Sequence, residues 1–101
     1  MTKRPSGVFT REDWQGGDRR RELVCDVLVI GSGAGGGVIA AELAEAGLDV
    51  IVLEEGGYHG TEEFVPEPSQ MVRKLYRDGG ASMTLGTPPV IFSEGRTVGG
   101  P

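Results

Sequence analysis

The stretch "DVLVIGSGAGGG", residues 26–37, sets an acidic residue and four apolar strand formers directly against seven residues none larger than serine. A chain that stops a buried strand this abruptly and continues with almost no side chains is either a flexible linker or a backbone that must come very close to something else. The flanking residues decide between the two. Val27 to Ile30 form a continuous β-branched and aliphatic run, the pattern of a strand buried on both faces of a parallel sheet. Residues 38–47, "VIAAELAEAG", then supply helix formers with apolar Val38, Ile39, Leu43 and Ala46 near helical spacing, and Gly47 stands where a helix cap belongs. "LDVIVLEEGG", residues 48–57, adds a second apolar run, Val50 to Leu53, closed by two acids and two glycines. Strand, glycine turn, helix and strand within about 30 residues predict a right-handed βαβ unit with parallel strands.

In that setting the glycines acquire a role. Gly31, Gly33 and Gly36 satisfy GxGxxG, a weak pattern alone in a chain with 18 glycines, but here it begins on the residue after a strand and opens a helix. Gly31 takes the tight turn, Gly33 leaves room for a pyrophosphate to approach the main chain, and Gly36 lets the helix sit close against the strands. The free N–H groups of the first helical turn, with the helix dipole behind them, favour an anion there without any lysine. A dinucleotide fold also calls for an acid about 20 residues on, at the end of the second strand, to accept hydrogen bonds from the adenosine ribose. Glu54 stands there, the first side chain past Leu53, while Glu55 reads as a solvated loop acid. A linker predicts neither the strands nor the acid. A carboxylate at this place also disfavours the 2′-phosphate of NADP.

Composition bounds the rest. The 101 residues make one small domain or part of a larger one. Residues 1–22 hold six basic and four acidic groups and residues 23–101 four basic and eleven acidic, for a net charge of −5, so no basic surface for nucleic acid is expected. The single cysteine, Cys25, excludes an internal disulfide, reads as a small buried hydrophobe and favours a reducing, cytoplasmic setting. No stretch approaches the roughly 18 uninterrupted apolar residues of a membrane span, so a soluble protein is expected. Residues 1–22 mix signs without periodicity and read as a flexible amino-terminal arm with one aromatic anchor, Trp14. Arg19, Arg20 and Arg21 ahead of an apolar run suggest a twin-arginine export signal, but Glu22 and Asp26 interrupt it and a strand explains the run better.

Beyond the unit, Pro66 and Pro68 open a second helix with Met71, Val72, Leu75 and Tyr76 on its apolar side and Gly79 to stop it. Arg73, Lys74 and Arg77 are read as its solvated face rather than a phosphate site. His59, in a Gly-rich turn, is read without a carboxylate neighbour and so without a catalytic or metal role. Residues 81–101 read as two short β segments around Pro88 and Pro89, followed by a second glycine loop, Gly95 to Gly100.

"DVLVIGSGAGGGVIAAELAEAGLDVIVLEEGG", followed some forty residues later by "GRTVGG", resembles the amino-terminal part of glucose-methanol-choline (GMC) flavoprotein oxidoreductases. "YRDGGASMTLGTPPVIFSEGRTVGG" is most similar to the long-chain alcohol oxidase-like and cholesterol oxidase-like members, and the resemblance covers residues 25–100. It implies an α/β fold, a Rossmann-like βαβ unit of an incomplete FAD-binding domain spanning residues 23–101, followed by a short helix and a β segment. It also implies that FAD is bound by Gly31, Ser32, Gly33, Ala34, Gly35 and Gly36 at the pyrophosphate, by Glu54 at the ribose and by Gly99 and Gly100 beside the flavin. The family continues the second loop with Ser, Thr or Gly and then Asn, where this chain has Pro101. Its acid/base histidine and partner lie near the carboxyl end of a far longer chain. The resemblance therefore implies a fragment with no catalytic and no metal-binding residue of its own, whose complete enzyme passes a hydride from an alcohol to FAD, and a chain inactive by itself. Two other readings stay open: an NAD-dependent dehydrogenase fragment, against which "GRTVGG" speaks, and a stand-alone nucleotide-binding module without catalysis.

Overall fold

Two parallel strands carry the centre of the molecule, β1 (Val27–Ile30) and β2 (Val50–Leu53), paired in the register Val27–Val50, Leu28–Ile51, Val29–Val52 and Ile30–Leu53. The computed structural model describes residues 4–15 and 20–100. Parts of the expected arm, Arg19 of the arginine run and Pro101 lie outside the described residues. The strands fall where the aliphatic runs placed them. Their entry is pinned by Asp26 and Val27, whose N–H groups both donate to the Asp49 carbonyl at 2.9 and 3.1 Å, and by the Asp49 N–H, which donates to the Asp26 carboxylate at 2.8 Å.

Helix α1 (Ala34–Glu45) joins the strands and begins four residues earlier than its helix formers alone predicted, with Gly33 as its N-cap. Gly35, Gly36 and Gly37 therefore lie in the first turn, where each glycine costs about 1 kcal/mol relative to alanine. The far end follows the sequence: Gly47, at φ 90°, donates to Ala44 at 3.0 Å and Leu48 to Leu43 at 3.2 Å, the paired bonds of a Schellman motif. Helix α1 covers the Val29 side of β1, because a Cβ on Gly36 would stand 3.3 Å from Val29 Cγ1. Burial on both faces of β1 is not found: Leu28 and Ile30 are 51% and 82% exposed, since among the described residues only the α1 face is covered.

Helix α2 (Pro68–Leu75) has Pro68 in its first turn but ends before Gly79. Tertiary pairing stops it. Tyr76 turns extended and bridges Gly95 antiparallel, the Arg96 N–H donates to the Leu75 carbonyl at 2.7 Å, and the Arg77 N–H donates to the Glu94 carbonyl at 2.8 Å. A short antiparallel pair, β3 (Ser82–Met83) with β4 (Ile91–Phe92), flanks the Pro88–Pro89 turn. The chain then returns to the parallel unit, where Thr97 bridges Gly57. Thr97, 6% exposed, is the only buried residue among those described, and no apolar side chain among them is fully enclosed.

The described part of the arm folds on itself around a short 3₁₀ turn, Arg11–Trp14. Arg4 pairs with Asp13 at 2.6 Å, Phe9 meets Trp14 edge-on at 6.1 Å, and the Arg21 guanidinium lies 4.6 Å from the Trp14 ring centre. Arg4, Val8, Arg11, Gly57 and Tyr58 are among the residues lining a cavity of about 670 Å³. No helix is long and apolar enough to cross a membrane among the described residues.

Candidate cofactor site

Gly31 ends β1 at φ 91°, a conformation that a side chain disfavours, and its N–H still donates to the Leu53 carbonyl at 2.7 Å, carrying the ladder one residue past the strand. The turn is thereby closed against β2. Two glycines of the loop then differ in what surrounds them. A Cβ on Gly36 would overlap the Gly31 carbonyl oxygen, so glycine is required there by the protein's own packing. A Cβ on Gly33 or Gly35 would meet no atom within 4 Å. Gly33 also has φ −69°, which any residue can adopt, so neither strain nor packing calls for glycine at that position. The space stands at the amino end of a twelve-residue helix, where the first N–H groups lack intrahelical partners and favour an anion.

Glu54, just past β2, turns its carboxylate back onto this loop. Oε2 accepts from the Ser32 N–H at 2.9 Å and from the Ser32 hydroxyl at 2.7 Å, and Oε1 accepts from the Gly56 N–H at 2.8 Å. The Ser32 hydroxyl, then the Gly56 N–H, hold the carboxyl below its ordinary value against the opposing effect of partial burial. Three bonds leave room on a carboxylate with about four acceptor positions, so Oε1 keeps capacity for one more donor.

The second glycine loop closes the same site. The Gly99 N–H donates to Ser32 Oγ at 3.0 Å, and a Cβ on Gly100 would lie 3.4 Å from Gly33 Cα. Gly99 and Gly100 have φ of 88° and 81°. All the residues singled out in the sequence, Gly31 to Gly36, Glu54, Gly99 and Gly100, are thus brought together. Missed was what holds the second loop there. Gly57 accepts from the Val98 N–H at 3.1 Å and the Thr97 hydroxyl at 3.2 Å, and a Cβ on Gly56 would overlap the Thr97 amide. The glycine pair after β2 lies outside the fingerprint and was the one available signal.

Three readings are corrected. His59 has a carboxylate partner, Glu63, at 3.0 Å from Nδ1, and Lys74 reaches the same oxygen at 2.5 Å. Arg77 is not a free cation of a solvated face, for it pairs with Glu55 and with Glu94, the latter at 3.0 Å. Glu55, though half exposed, is held by Arg77 and by Arg96 at 3.7 Å rather than by solvent alone. No group of three or more His, Cys, Asp or Glu among the described residues is arranged to hold a metal ion.

These features place an open glycine turn between two parallel strands, at the amino end of a helix, and known proteins share it. A family model described as FAD binding domain matches residues 26–64. An uncharacterized GMC-type oxidoreductase of Mycobacterium tuberculosis is 51% identical over 76 residues, which are 74% of this chain and 12% of that protein. A long-chain-alcohol oxidase of Arabidopsis thaliana is 45% identical over 78 residues, covering 77% of this chain and 10% of that protein. A paromamine 6′-oxidase of Streptomyces fradiae is 43% identical over 81 residues, covering 79% and 15%. No solved structure matches. The chain spans between a tenth and a sixth of the length of these relatives. Over about three quarters of its length the chain is similar to GMC-type oxidoreductases, and FAD is its cofactor.

Proposed function

We propose that this chain supplies the amino-terminal FAD-binding part, residues 23–101 with residues 1–22 as an arm, of a GMC-type oxidoreductase that oxidises an alcohol. The β1–α1–β2 unit is then the first unit of a Rossmann-like domain. One observation carries the reading: Gly33 faces open space at a helix amino end, while Glu54 and Gly99 converge on its neighbour Ser32. A cradle that the protein's own packing does not require, but that a side chain would fill, is what a bound pyrophosphate needs. The match to an FAD binding domain favours FAD over a nicotinamide dinucleotide.

FAD, when bound, supplies the redox chemistry, accepting a hydride from the carbon that bears the substrate hydroxyl. The loop of Gly31, Ser32, Gly33, Ala34, Gly35 and Gly36 would hold the pyrophosphate, with the main-chain N–H groups from Gly33 onward as donors, since those of Gly31 and Ser32 go to Leu53 and Glu54, and with the α1 dipole as field. Glu54 receives the ribose hydroxyls. Gly99 and Gly100, lacking side chains, let the second loop lie beside the cofactor. The names of relatives that act on alcohols support the substrate class, and the single Cys25 supports a cytoplasmic setting.

The test is Gly33→Val in the full-length protein. A folded variant without yellow flavin absorbance is expected, because two methyls would stand where phosphate oxygens belong. Stoichiometric flavin in folded Gly33→Val would sink the assignment.

A further inference from the structure

Ser32 is the one residue between Gly31 and Gly37 with a polar side chain, and its hydroxyl both donates and accepts inside the protein. A serine hydroxyl has one proton to give and two lone pairs. The proton goes to Glu54 Oε2 at 2.7 Å, one lone pair takes the Gly99 N–H at 3.0 Å, and the Ser32 main-chain N–H reinforces the first bond at 2.9 Å. No hydroxyl donor is left for a phosphate oxygen. The same atom therefore touches the acid at the end of β2 and the loop of residues 97–100, which join the unit from far along the chain.

We propose that Ser32 is the positioning residue of the FAD site, aiming the Glu54 carboxylate and tying the Gly99 loop to the first glycine turn rather than meeting the cofactor through its hydroxyl. This rests on the FAD-site reading above. Without the hydroxyl, Glu54 keeps two main-chain donors, Ser32 and Gly56, but loses the one that links it to the second loop. Gly99, at φ 88° with nothing within 4 Å of its missing Cβ, loses the bond that fixes its place. The ribose end and the far loop then become independent, and the cofactor must order both when it binds. The Ser32 bond is also the largest influence holding the Glu54 carboxyl down, so its loss has a direction in pH. A carboxyl with lowered pKa stays ionised to lower pH; losing the bond raises that pKa and moves the acid-side loss of binding upward.

The experiment titrates FAD into apoprotein of the full-length enzyme, wild type, Ser32→Ala and Ser32→Thr, from acidic to neutral pH, with amide exchange read at Gly99. Ser32→Ala is expected to bind roughly tenfold more weakly at neutral pH, the loss typical of a hydrogen bond to a charged group. Its acid limb moves to higher pH and the Gly99 amide exchanges faster. Ser32→Thr, which keeps the hydroxyl, restores all three. Unchanged binding in Ser32→Ala, or a loss equal at every pH with Gly99 still protected, overturns the proposal. If Ser32→Ala does not fold, Ser32→Cys, with a weak donor of similar size, is read by the same three measures. Flavin retained by Gly33→Val would instead overturn the FAD-site reading itself, so the two failures are distinguishable.

Discussion

Gly31–Gly37 and Gly95–Gly100 lie against each other at Ser32, yet the first loop is positioned by the strands and helix of its own βαβ unit and the second by two separate segments, Leu75–Tyr76 and Gly57. Gly31 is bonded to the end of the adjacent strand, and the loop runs straight into α1. Residues 95–100 are hung from Tyr76, Leu75 and Gly57 by separate main-chain bonds, with Thr97 buried between. Glycine serves differently in the two places. Gly33 leaves space that the protein does not fill, whereas Gly56 is small so that the returning chain can touch it. A glycine-rich stretch thus marks a ligand only where the protein itself does not occupy the space.

The largest effect that sharpens this contrast is expected at Gly36. Alanine gains about 1 kcal/mol of helix propensity there, but its Cβ overlaps the Gly31 carbonyl oxygen, and overpacking against main chain costs about 1–3 kcal/mol or more. Gly36→Ala should therefore lower the melting temperature and lose flavin together, unlike Gly33→Val, which loses flavin alone. A Gly36→Ala protein as stable as wild type would break the distinction between the two glycines.

Next in size is the acid. Glu54→Gln keeps the shape but weakens bonds to a charged acceptor worth about 1.5–3 kcal/mol, so FAD affinity should fall roughly ten- to a hundredfold. Glu55→Gln, whose carboxylate faces Arg77 and Arg96, should leave FAD affinity within about threefold, as exposed ion pairs contribute at most about 1 kcal/mol. Titration of apoprotein with FAD decides, and a reversed order would exchange the two roles.

Gly56→Ala tests the second loop alone. Its Cβ overlaps the Thr97 amide, so residues 97–100 should move away at a cost of about 1–2 kcal/mol while β1 and β2 stay paired. Amide exchange checks it: Val98 and Gly100, which donate to Gly57 and Thr97, should exchange faster, and the strand amides should not. Equal acceleration in both regions would mean that they are one cooperative unit.

The smallest effect is acid titration. Because the Glu54 pKa is lowered in the folded protein, its bonds contribute stability above the unfolded carboxyl value and lose it as pH falls through the folded one. The Ser32 and Gly56 amide resonances should titrate together below the ordinary glutamate range. Separate midpoints would show that one carboxylate does not hold both.

The βαβ unit, its boundaries within a few residues and the fingerprint residues were all legible in the chain, because each follows from periodicity, propensity and spacing acting over one or two turns. The Val27–Ile30 and Val50–Leu53 runs, the cap at Gly47 and the acid at Glu54 needed no distant partner to be read. The early start of α1 at Ala34 was legible only through the fingerprint that opens a helix, since glycine propensity argues against a helix that anchoring between two strands nonetheless supports. The end of α2 at Leu75, the ion pairs of Glu55 and Arg77, and the His59–Glu63–Lys74 contact were hidden. Apart from His59–Glu63, whose partners stand four residues apart, each depends on residues that meet only after the chain returns. The sequence by itself determined which residues form the strands, the loop and the acid; tertiary structure alone decided that Ser32 joins Glu54 to Gly99. Local preferences act through the backbone of a few neighbours, whereas a hydrogen bond across 67 positions exists only when long-range pairing has brought its donor and acceptor together.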